Sequence, residues 1–213
     1  DVRITTRYNE HNPIESIGGT IHETGHALYE QGFRDEDQRT PLADAPSMGM
    51  HESQSRTWEV TVGMSRPFWG HYFPVMKQYF PGLLDDVSPE DFYRAINKVE
   101  PGLIRIDADE VCYNLHIIIR FELEVRLIDG TLAIEDLPAE WNRLYKEYLG
   151  IDVPGDADGC LQDVHWSGAA FGYFPSYTFG NIYAAMLAEK MEKDLPDVWE
   201  SVAKGEFAPL LNW

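Results

Sequence analysis

The stretch TIHETGHALYEQG, residues 20–32, contains His22, Glu23 and His26 in the order H-E-x-x-H. Residues four apart lie on one face of an α-helix, so both imidazoles can reach one metal ion while the carboxylate of Glu23 lies beside it. The pattern predicts a hydrolytic zinc site in which His22 and His26 bind the metal and Glu23 is the general base for the attacking water. Such a short pattern also arises by chance, so the rest of the sequence must supply the remaining parts of the site.

The third metal ligand has to come from elsewhere in the chain, because a catalytic zinc ion takes three protein ligands and keeps a fourth position open. One class of zinc protease continues the motif as H-E-x-x-H-x-x-G-x-x-H. Here Tyr29 replaces the glycine and Gly32 the third histidine, which excludes that class. The stretch HESQSR instead offers Glu52 at the start of the next predicted helix. His51 is a competing ligand, and an ion pair between Glu52 and Arg56 is the alternative without a metal.

Five short motifs along the chain resemble, in the same order, the signature motifs of the carboxypeptidase Taq family of zinc carboxypeptidases. They are DVRITTRY, HETGH, HESQSR, IRIDADE and GCLQDVHW. The resemblance implies a largely helical fold, a homodimer and a peptide substrate with a free C-terminus. It also implies that His22, His26 and Glu52 bind one zinc ion, with cobalt or manganese as candidate substitutes, and that Glu23 is the base. Family members are longer, so residues 1–213 resemble a single catalytic, metal-binding region from the C-terminal part of such an enzyme.

A carboxypeptidase needs a fixed cation for the terminal carboxylate of its substrate, and the bidentate fork of arginine suits that task. Arg105 in the IRIDADE motif and Arg3 in the opening motif are the candidates, and we favour Arg105. The alternative is that either arginine forms a structural ion pair with Asp107, Asp109 or Asp1.

The oxyanion of the tetrahedral intermediate needs a donor besides the metal. His165 is followed 12 residues later by Tyr177. Related zinc peptidases with a glutamate ligand place a histidine and a tyrosine at a similar separation, and this likeness assigns the oxyanion to His165 and Tyr177, with Tyr173 as the substitute for Tyr177. Asp163 and Gln162 are alternative candidates for orienting a ligand imidazole.

The elements that must position these residues are predicted to be helices. Asn12 as N-cap, Pro13 in the first turn and Glu15 predict the start of a helix that carries the HExxH motif and ends near Gly32. Further helices are predicted from about residue 49 with a break near Pro67, over 89–99, over 108–128 with Asp107 as cap, and over LPAEWNRLYKEYLG and SYTFGNIYAAMLAEKMEKDL. GCLQDVHWSGAAFGYFP is predicted to be irregular. The fold class is therefore mainly α, a multi-helix zinc-peptidase fold with little or no sheet.

Composition limits the partners of this chain. Its 213 residues are 44% hydrophobic, and 36 acidic residues against 17 basic ones give a net charge of −19. Such a surface repels nucleic acid and anionic membranes, and no apolar run approaches the length of a membrane span. The first residues do not resemble a signal peptide, and two cysteines, Cys112 and Cys160, fit a reducing cytoplasm.

These observations predict a zinc metallocarboxypeptidase that releases the C-terminal residue of peptides. Two rivals share its metal site. One is a zinc endopeptidase or oligopeptidase with a glutamate third ligand, and the other is a helical metal-binding fragment without activity.

Overall fold

The computed structural model describes residues 2–213; Asp1, one predicted ion-pair partner of the arginines, lies outside the described residues. The described residues form α-helices and short helical turns and contain no β-strand, which confirms the mainly α prediction. The α-helices are α1 (Pro13–Gln31), α2 (Met48–Arg56), α3 (Arg66–Tyr79), α4 (Pro89–Ile96), α5 (Tyr113–Ile128), α6 (Leu137–Leu149), α7 (Pro175–Asp194), α8 (Val198–Ala203) and α9 (Ala208–Asn212). Within residues 2–213, none of the helices has the length and apolar character needed to cross a membrane.

Helix α1 begins and ends where its local sequence predicts. The side chain of Asn12 accepts a hydrogen bond from the backbone N–H of Glu15 at 3.4 Å, Pro13 occupies the first turn, and Gly32 follows the last residue. These groups satisfy helix-end donors and acceptors that have no partner inside the helix. The carboxylate of Glu15 accepts from the side chain of Asn9 at 3.2 Å, so it ties the preceding loop to the helix start.

The predicted helix from residue 49 is divided before Pro67. Helix α2 continues into a π-helical segment, Thr57–Gly63, and α3 begins at Arg66. The side chain of Ser65 caps α3 by accepting from the backbone N–H of Phe68 at 3.3 Å. Pro67 therefore lies in the first turn of α3, where the absence of an N–H costs nothing.

The predicted start of α5 at residue 108, with Asp107 as its cap, is wrong. The carboxylate of Asp109 accepts from the backbone N–H groups of Val111 and Cys112, each at 2.9 Å, which holds these residues in turns. Helix α5 consequently begins at Tyr113.

The chain divides into two compact units. The first comprises the described residues up to Asn97 together with Phe179–Trp213. In it, α1 packs against α2 and the π-helical segment, and α3 packs against α4 and α8. One apolar cluster of this unit is built on Trp69, Phe73, Met76 and Phe92, and a second is built on Val62, Met191, Val198, Val202 and Leu210.

The second unit is Lys98–Thr178, in which α5 packs against α6. Its apolar core includes Ile119, Leu123, Trp141, Leu144 and Tyr145. The stretch between α6 and α7 contains turns and neither helix nor strand, as predicted for GCLQDVHWSGAAFGYFP. That residues 1–213 form a single catalytic region remains a prediction.

Candidate metal centre

Three side chains of the first unit converge on one point. The Nε2 atoms of His22 and His26 lie 3.6 and 3.8 Å from Oε2 of Glu52. One ligand atom from each of the three residues lies within 4.8 Å of the other two, and this is the one group of three or more metal-ligating residues found in residues 2–213. Zn–N and Zn–O bonds of about 2.0–2.1 Å in a tetrahedron place ligand atoms about 3.3 Å apart. Two imidazoles and one carboxylate that converge in this way are a donor set that suits a divalent metal ion.

Close packing of α1 on α2 brings the histidines to Glu52. The turn of α1 between the two histidines contains Gly25, and a Cβ atom at that position would stand 2.6 Å from Cα of Ser55. Only a residue without a side chain allows the two backbones to approach this closely. Gly25 therefore sets the separation between the HExxH helix and the helix of the third ligand.

Glu52 is nearly buried, with 5% of its surface exposed. Its Oε2 lies 3.0 Å from the hydroxyl of Ser55, and the same oxygen faces the two imidazoles. A buried carboxylate costs considerable free energy unless a cation or hydrogen-bond donors compensate it. Arg56, the predicted non-metal partner of Glu52, donates to Glu59 and Asn181, each at 2.7 Å.

The other ring nitrogen of His22 contacts a partly buried ion pair. Nδ1 of His22 lies 2.9 Å from Oε2 of Glu59, and that oxygen also accepts from Arg56. Burial lowers the pKa of His22, but the hydrogen bond to Glu59 and the charges of Glu59 and Glu52 outweigh it and leave the pKa above 6.5. Burial raises the pKa of Glu59, but the charge of Arg56 and the contacts with His22 outweigh it and leave the pKa lowered.

The other ring nitrogen of His26 faces a second histidine. Nδ1 of His26 lies 2.6 Å from Nδ1 of His51, and Nε2 of His51 lies 2.8 Å from Oε1 of Glu30. Burial, and then the nearby His22 and His51, lower the pKa of His26 to about 4. His51, the competing candidate for the third metal ligand, thus contacts Nδ1 of His26, whereas Nε2 of His26 faces Glu52.

Glu23, the predicted base, follows His22 directly on α1 and is half-buried. It lies close enough to His26 for its negative charge to favour protonation of that ring. This carboxylate therefore lies beside the two predicted metal ligands on the same helix.

In the second unit, Arg105 is buried and bound to a carboxylate. Its Nε and Nη2 atoms donate to Asp163, the shortest bond measuring 2.7 Å, and Nη1 donates to the hydroxyl of Tyr113 at 2.9 Å. Arg120 also donates to Asp163, from its Nε atom to Oδ2 at 2.6 Å. Burial raises the pKa of Asp163, but the Arg105 hydrogen bonds and the two arginine charges outweigh it and leave the pKa lowered. Gln162 accepts from the backbone N–H of Arg105 and from Arg120. Asp163 and Gln162 thus bind arginines within this unit.

The structure brings the predicted oxyanion donors of the second unit together. Nε2 of His165 lies 3.0 Å from the hydroxyl of Tyr177. The ring of His165 packs on Phe174, with 4.3 Å between centroids, and on Tyr173, with 5.5 Å. Burial lowers the pKa of His165, which favours the neutral imidazole.

Sequence reasoning missed the contacts behind the histidines. Glu59 follows Glu52 by seven residues, a spacing that places two residues on one face of a helix, so the spacing alone could have indicated it. Glu30 and His51 lie 21 positions apart, and only the packing of α1 on α2 brings them together.

A model of the carboxypeptidase Taq (M32) metallopeptidase family matches residues 1–213 of this chain. The chain belongs to the M32 family. It is 54% identical over 213 residues to thermostable carboxypeptidase 1 of Thermus thermophilus and 48% identical to carboxypeptidase 1 of Bacillus subtilis, covering all of this chain and 42% of each relative.

Solved M32 structures share its fold. The M32 carboxypeptidase from Deinococcus radiodurans R1 gives a TM-score of 0.94 at 46% identity, over 99% of this chain and 43% of that one. The Pyrococcus furiosus carboxypeptidase gives 0.95 at 44% identity, over 100% and 43%. The chain thus spans less than half the length of the M32 relatives that it matches. Membership of a metallopeptidase family implies a metal cofactor, in agreement with the cluster of His22, His26 and Glu52.

Proposed function

We propose that this chain carries the catalytic site of a zinc metallocarboxypeptidase that releases the C-terminal amino acid of peptides. The observation that carries the proposal is the approach of two HExxH imidazole Nε2 atoms to one buried carboxylate oxygen, at 3.6 and 3.8 Å. His22, His26 and Glu52 would hold the zinc ion. Two imidazoles and a glutamate are a known ligand set of catalytic zinc in peptidases.

The chemistry that a zinc ion supplies when bound is polarisation of a carbonyl and a lowered pKa for water. In the proposal, the carboxylate of Glu23 takes the proton of the attacking water and delivers it to the nitrogen of the leaving amino acid. Its position next to His22, on the helix of two ligands, supports this role.

We assign His165 and Tyr177 to the developing oxyanion. Their 3.0 Å contact supports this assignment, because it places the histidine ring nitrogen beside the phenol. The phenolic O–H is a donor, and the lowered pKa of His165 keeps its ring neutral near pH 7, so the ring can donate only in the tautomer that carries its proton on Nε2.

The terminal carboxylate of the substrate requires an arginine, and the two candidates differ in their surroundings. Arg105 is 5% exposed and already binds Asp163, whereas Arg3 is exposed. The segment of Arg3 runs antiparallel to α1, because Asn9 contacts Ser16 and Thr6 contacts Thr20. We propose Arg105, held rigidly by Asp163, as the carboxylate ligand, with Arg3 as the alternative.

The test compares two peptides that differ only at the C-terminus. The zinc-loaded chain should release the last residue of a peptide with a free carboxylate and lose nearly all of this rate on the C-terminal amide. Glu23→Gln should abolish the activity while zinc stays bound. Equal cleavage of both peptides would indicate an endopeptidase. No cleavage of either peptide with zinc bound would indicate a metal-binding fragment without activity.

We also propose a homodimer in a reducing cytoplasm. The dimer rests on the family resemblance, and light scattering on the purified chain tests it. The compartment is supported by Cys112 and Cys160, which are buried thiols and form no disulfide.

A further inference from the structure

The two histidines of the candidate metal site are supported in different ways on the side away from Glu52. His22 contacts Glu59, whose side chain is 19% exposed and is paired with Arg56, itself 12% exposed. His26 contacts the ring of His51, which in turn contacts Glu30, a carboxylate that is 44% exposed. One ligand thus contacts a partly buried ion pair, and the other contacts an imidazole that connects it to an exposed carboxylate.

The positions of the hydrogen atoms between His26, His51 and Glu30 follow from the two ends of this series, the metal ligand and the carboxylate. To bind a metal through Nε2, His26 must carry its proton on Nδ1. That N–H points at Nδ1 of His51, 2.6 Å away, which must therefore accept and carry no proton. The proton of His51 then lies on Nε2 and is donated to Oε1 of Glu30 at 2.8 Å. Each donor in the series meets one acceptor.

We propose that His51 is a positioning residue, which with Glu30 fixes the tautomer and ring orientation of His26 for metal binding. The inference rests on the proposed zinc site and assigns His51 a role other than that of a ligand. Partners that accept the second N–H of a ligating histidine hold its ring in place, and their removal typically weakens metal binding about 10–100-fold.

The geometry also indicates that His51 matters more than Glu30 for the orientation of His26. His51 makes the direct contact and its side chain is 14% exposed, whereas Glu30 does not contact His26 directly and its side chain is 44% exposed. Water can replace an exposed acceptor at little cost. Glu30→Gln, which keeps an acceptor oxygen, should therefore change the zinc dissociation constant only a few-fold.

The test measures the zinc dissociation constant by competition with a chromophoric chelator. His51→Leu keeps the approximate bulk of the side chain but removes the acceptor, and it should weaken zinc binding about 10–100-fold. His51→Asn places an amide oxygen near the position of Nδ1 and should restore the affinity to within a few-fold. His11→Leu, at an exposed histidine outside the site, is the matched control and should leave the affinity unchanged.

A spectroscopic readout separates positioning from ligation. The visible spectrum of the cobalt-substituted protein reports the ligand set, so it should be the same in the wild type and His51→Asn. A changed spectrum in His51→Asn, with weak binding in both variants, would show that His51 is itself a ligand and would overturn the inference.

The wild-type protein provides a test that needs no substitution. In the zinc-loaded chain, ¹⁵N chemical shifts of the histidine rings should show a protonated Nδ1 on His26 and a protonated Nε2 on His51. A protonated Nδ1 on His51, or unchanged zinc affinity in His51→Leu, overturns the inference and leaves the proposed function intact. Failure of the wild type to bind zinc overturns the proposed function, and the inference with it.

Discussion

Gly180 of α7 lies directly against Glu52: a Cβ atom on the glycine would stand 2.5 Å from Cβ of Glu52 and 3.2 Å from its carbonyl carbon. The third ligand of the candidate metal site therefore depends on a residue 128 positions away that contributes no side chain. Helix α7 supports the backbone of α2 where Glu52 turns toward the two histidines.

Gly180→Ala should displace Glu52, because the new methyl group overlaps a side chain that is fixed at its backbone. We expect a loss of about 1–3 kcal/mol in the free energy of unfolding, as for other overpacked interiors, together with weaker zinc binding. Urea unfolding and zinc titration measure the two effects. Gly70→Ala, in α3 with no atom near the added methyl, is the control and should cause neither. Wild-type zinc affinity in Gly180→Ala would contradict this account.

Two glycines of α1 should respond in opposite ways to the same substitution. A methyl group on Gly25 would stand 2.6 Å from Cα of Ser55, whereas a methyl group on Gly19 meets open space. Gly25→Ala should therefore separate α1 from α2 and destabilise the protein. Gly19→Ala should stabilise it by about 0.5–1 kcal/mol, the usual gain over glycine within a helix. Thermal unfolding of both variants tests this, and equal shifts in Tm would argue against the close approach.

Asp163→Asn should destabilise the second unit strongly. Asp163 is the shared partner of Arg105 and Arg120, which are 5% and 0% exposed, and its neutralisation leaves two buried positive charges without their carboxylate. Breaking a buried ion pair by removing one partner costs about 3–5 kcal/mol. The control is Asp158→Asn, an exposed aspartate of the same segment, which should change the free energy of unfolding by less than about 0.5 kcal/mol.

The stability of the metal-free protein should fall on acidification, and part of this loss comes from His116. This side chain is fully buried, with Nδ1 3.0 Å from the hydroxyl of Tyr145. Burial, and then the charges of Arg120 and Arg105, lower the pKa of His116 from 6.5 to about 4. His116 is therefore protonated below about pH 6.5 in the unfolded chain, but only below about pH 4 in the folded chain. The resulting stability is complete above pH 6.5 and is lost as the pH falls to 4.

His116→Asn should remove this contribution. Over that interval the wild type should lose up to about 3 kcal/mol more than the variant, since each unit of pKa shift corresponds to about 1.4 kcal/mol. Urea unfolding at pH 7 and pH 4 in the presence of a chelator measures the difference. Parallel losses in both proteins would show that His116 does not contribute to the acid sensitivity.

The sequence predicted the features that depend on neighbouring residues. The start and end of α1 follow from Asn12, Pro13 and Gly32, because caps and turn residues act within a few positions. The predicted start of α5 was wrong because Asp107 and Asp109 both fit a capping pattern in the sequence. Only the folded backbone shows that Asp109 accepts from the N–H of Cys112. The placement of His22 and His26 on one face was also predictable, because the two histidines are four residues apart on a single helix.

Features that depend on distant residues were not predicted. Asp163 binds Arg105 from 58 positions away, through a segment without any hydrophobic period. The sequence alone offers Asp107, Asp109 and Asp1 as alternative partners of the arginines, and Asp163 as a candidate for orienting a ligand histidine. The support of Glu52 by Gly180 and of His26 by His51 likewise arises from helix packing, which sequence spacing does not encode.

The most direct test of the central claim is the zinc content of the purified chain, compared with Glu52→Gln. The wild type should hold about one zinc ion per chain, and Glu36→Gln, an exposed glutamate in the same unit, should match it. Glu52→Gln should lose the metal or bind it far more weakly, because the neutral amide replaces the one carboxylate of the ligand cluster. Equal zinc content in Glu52→Gln, or no zinc in the wild type, would contradict the His22–His26–Glu52 site.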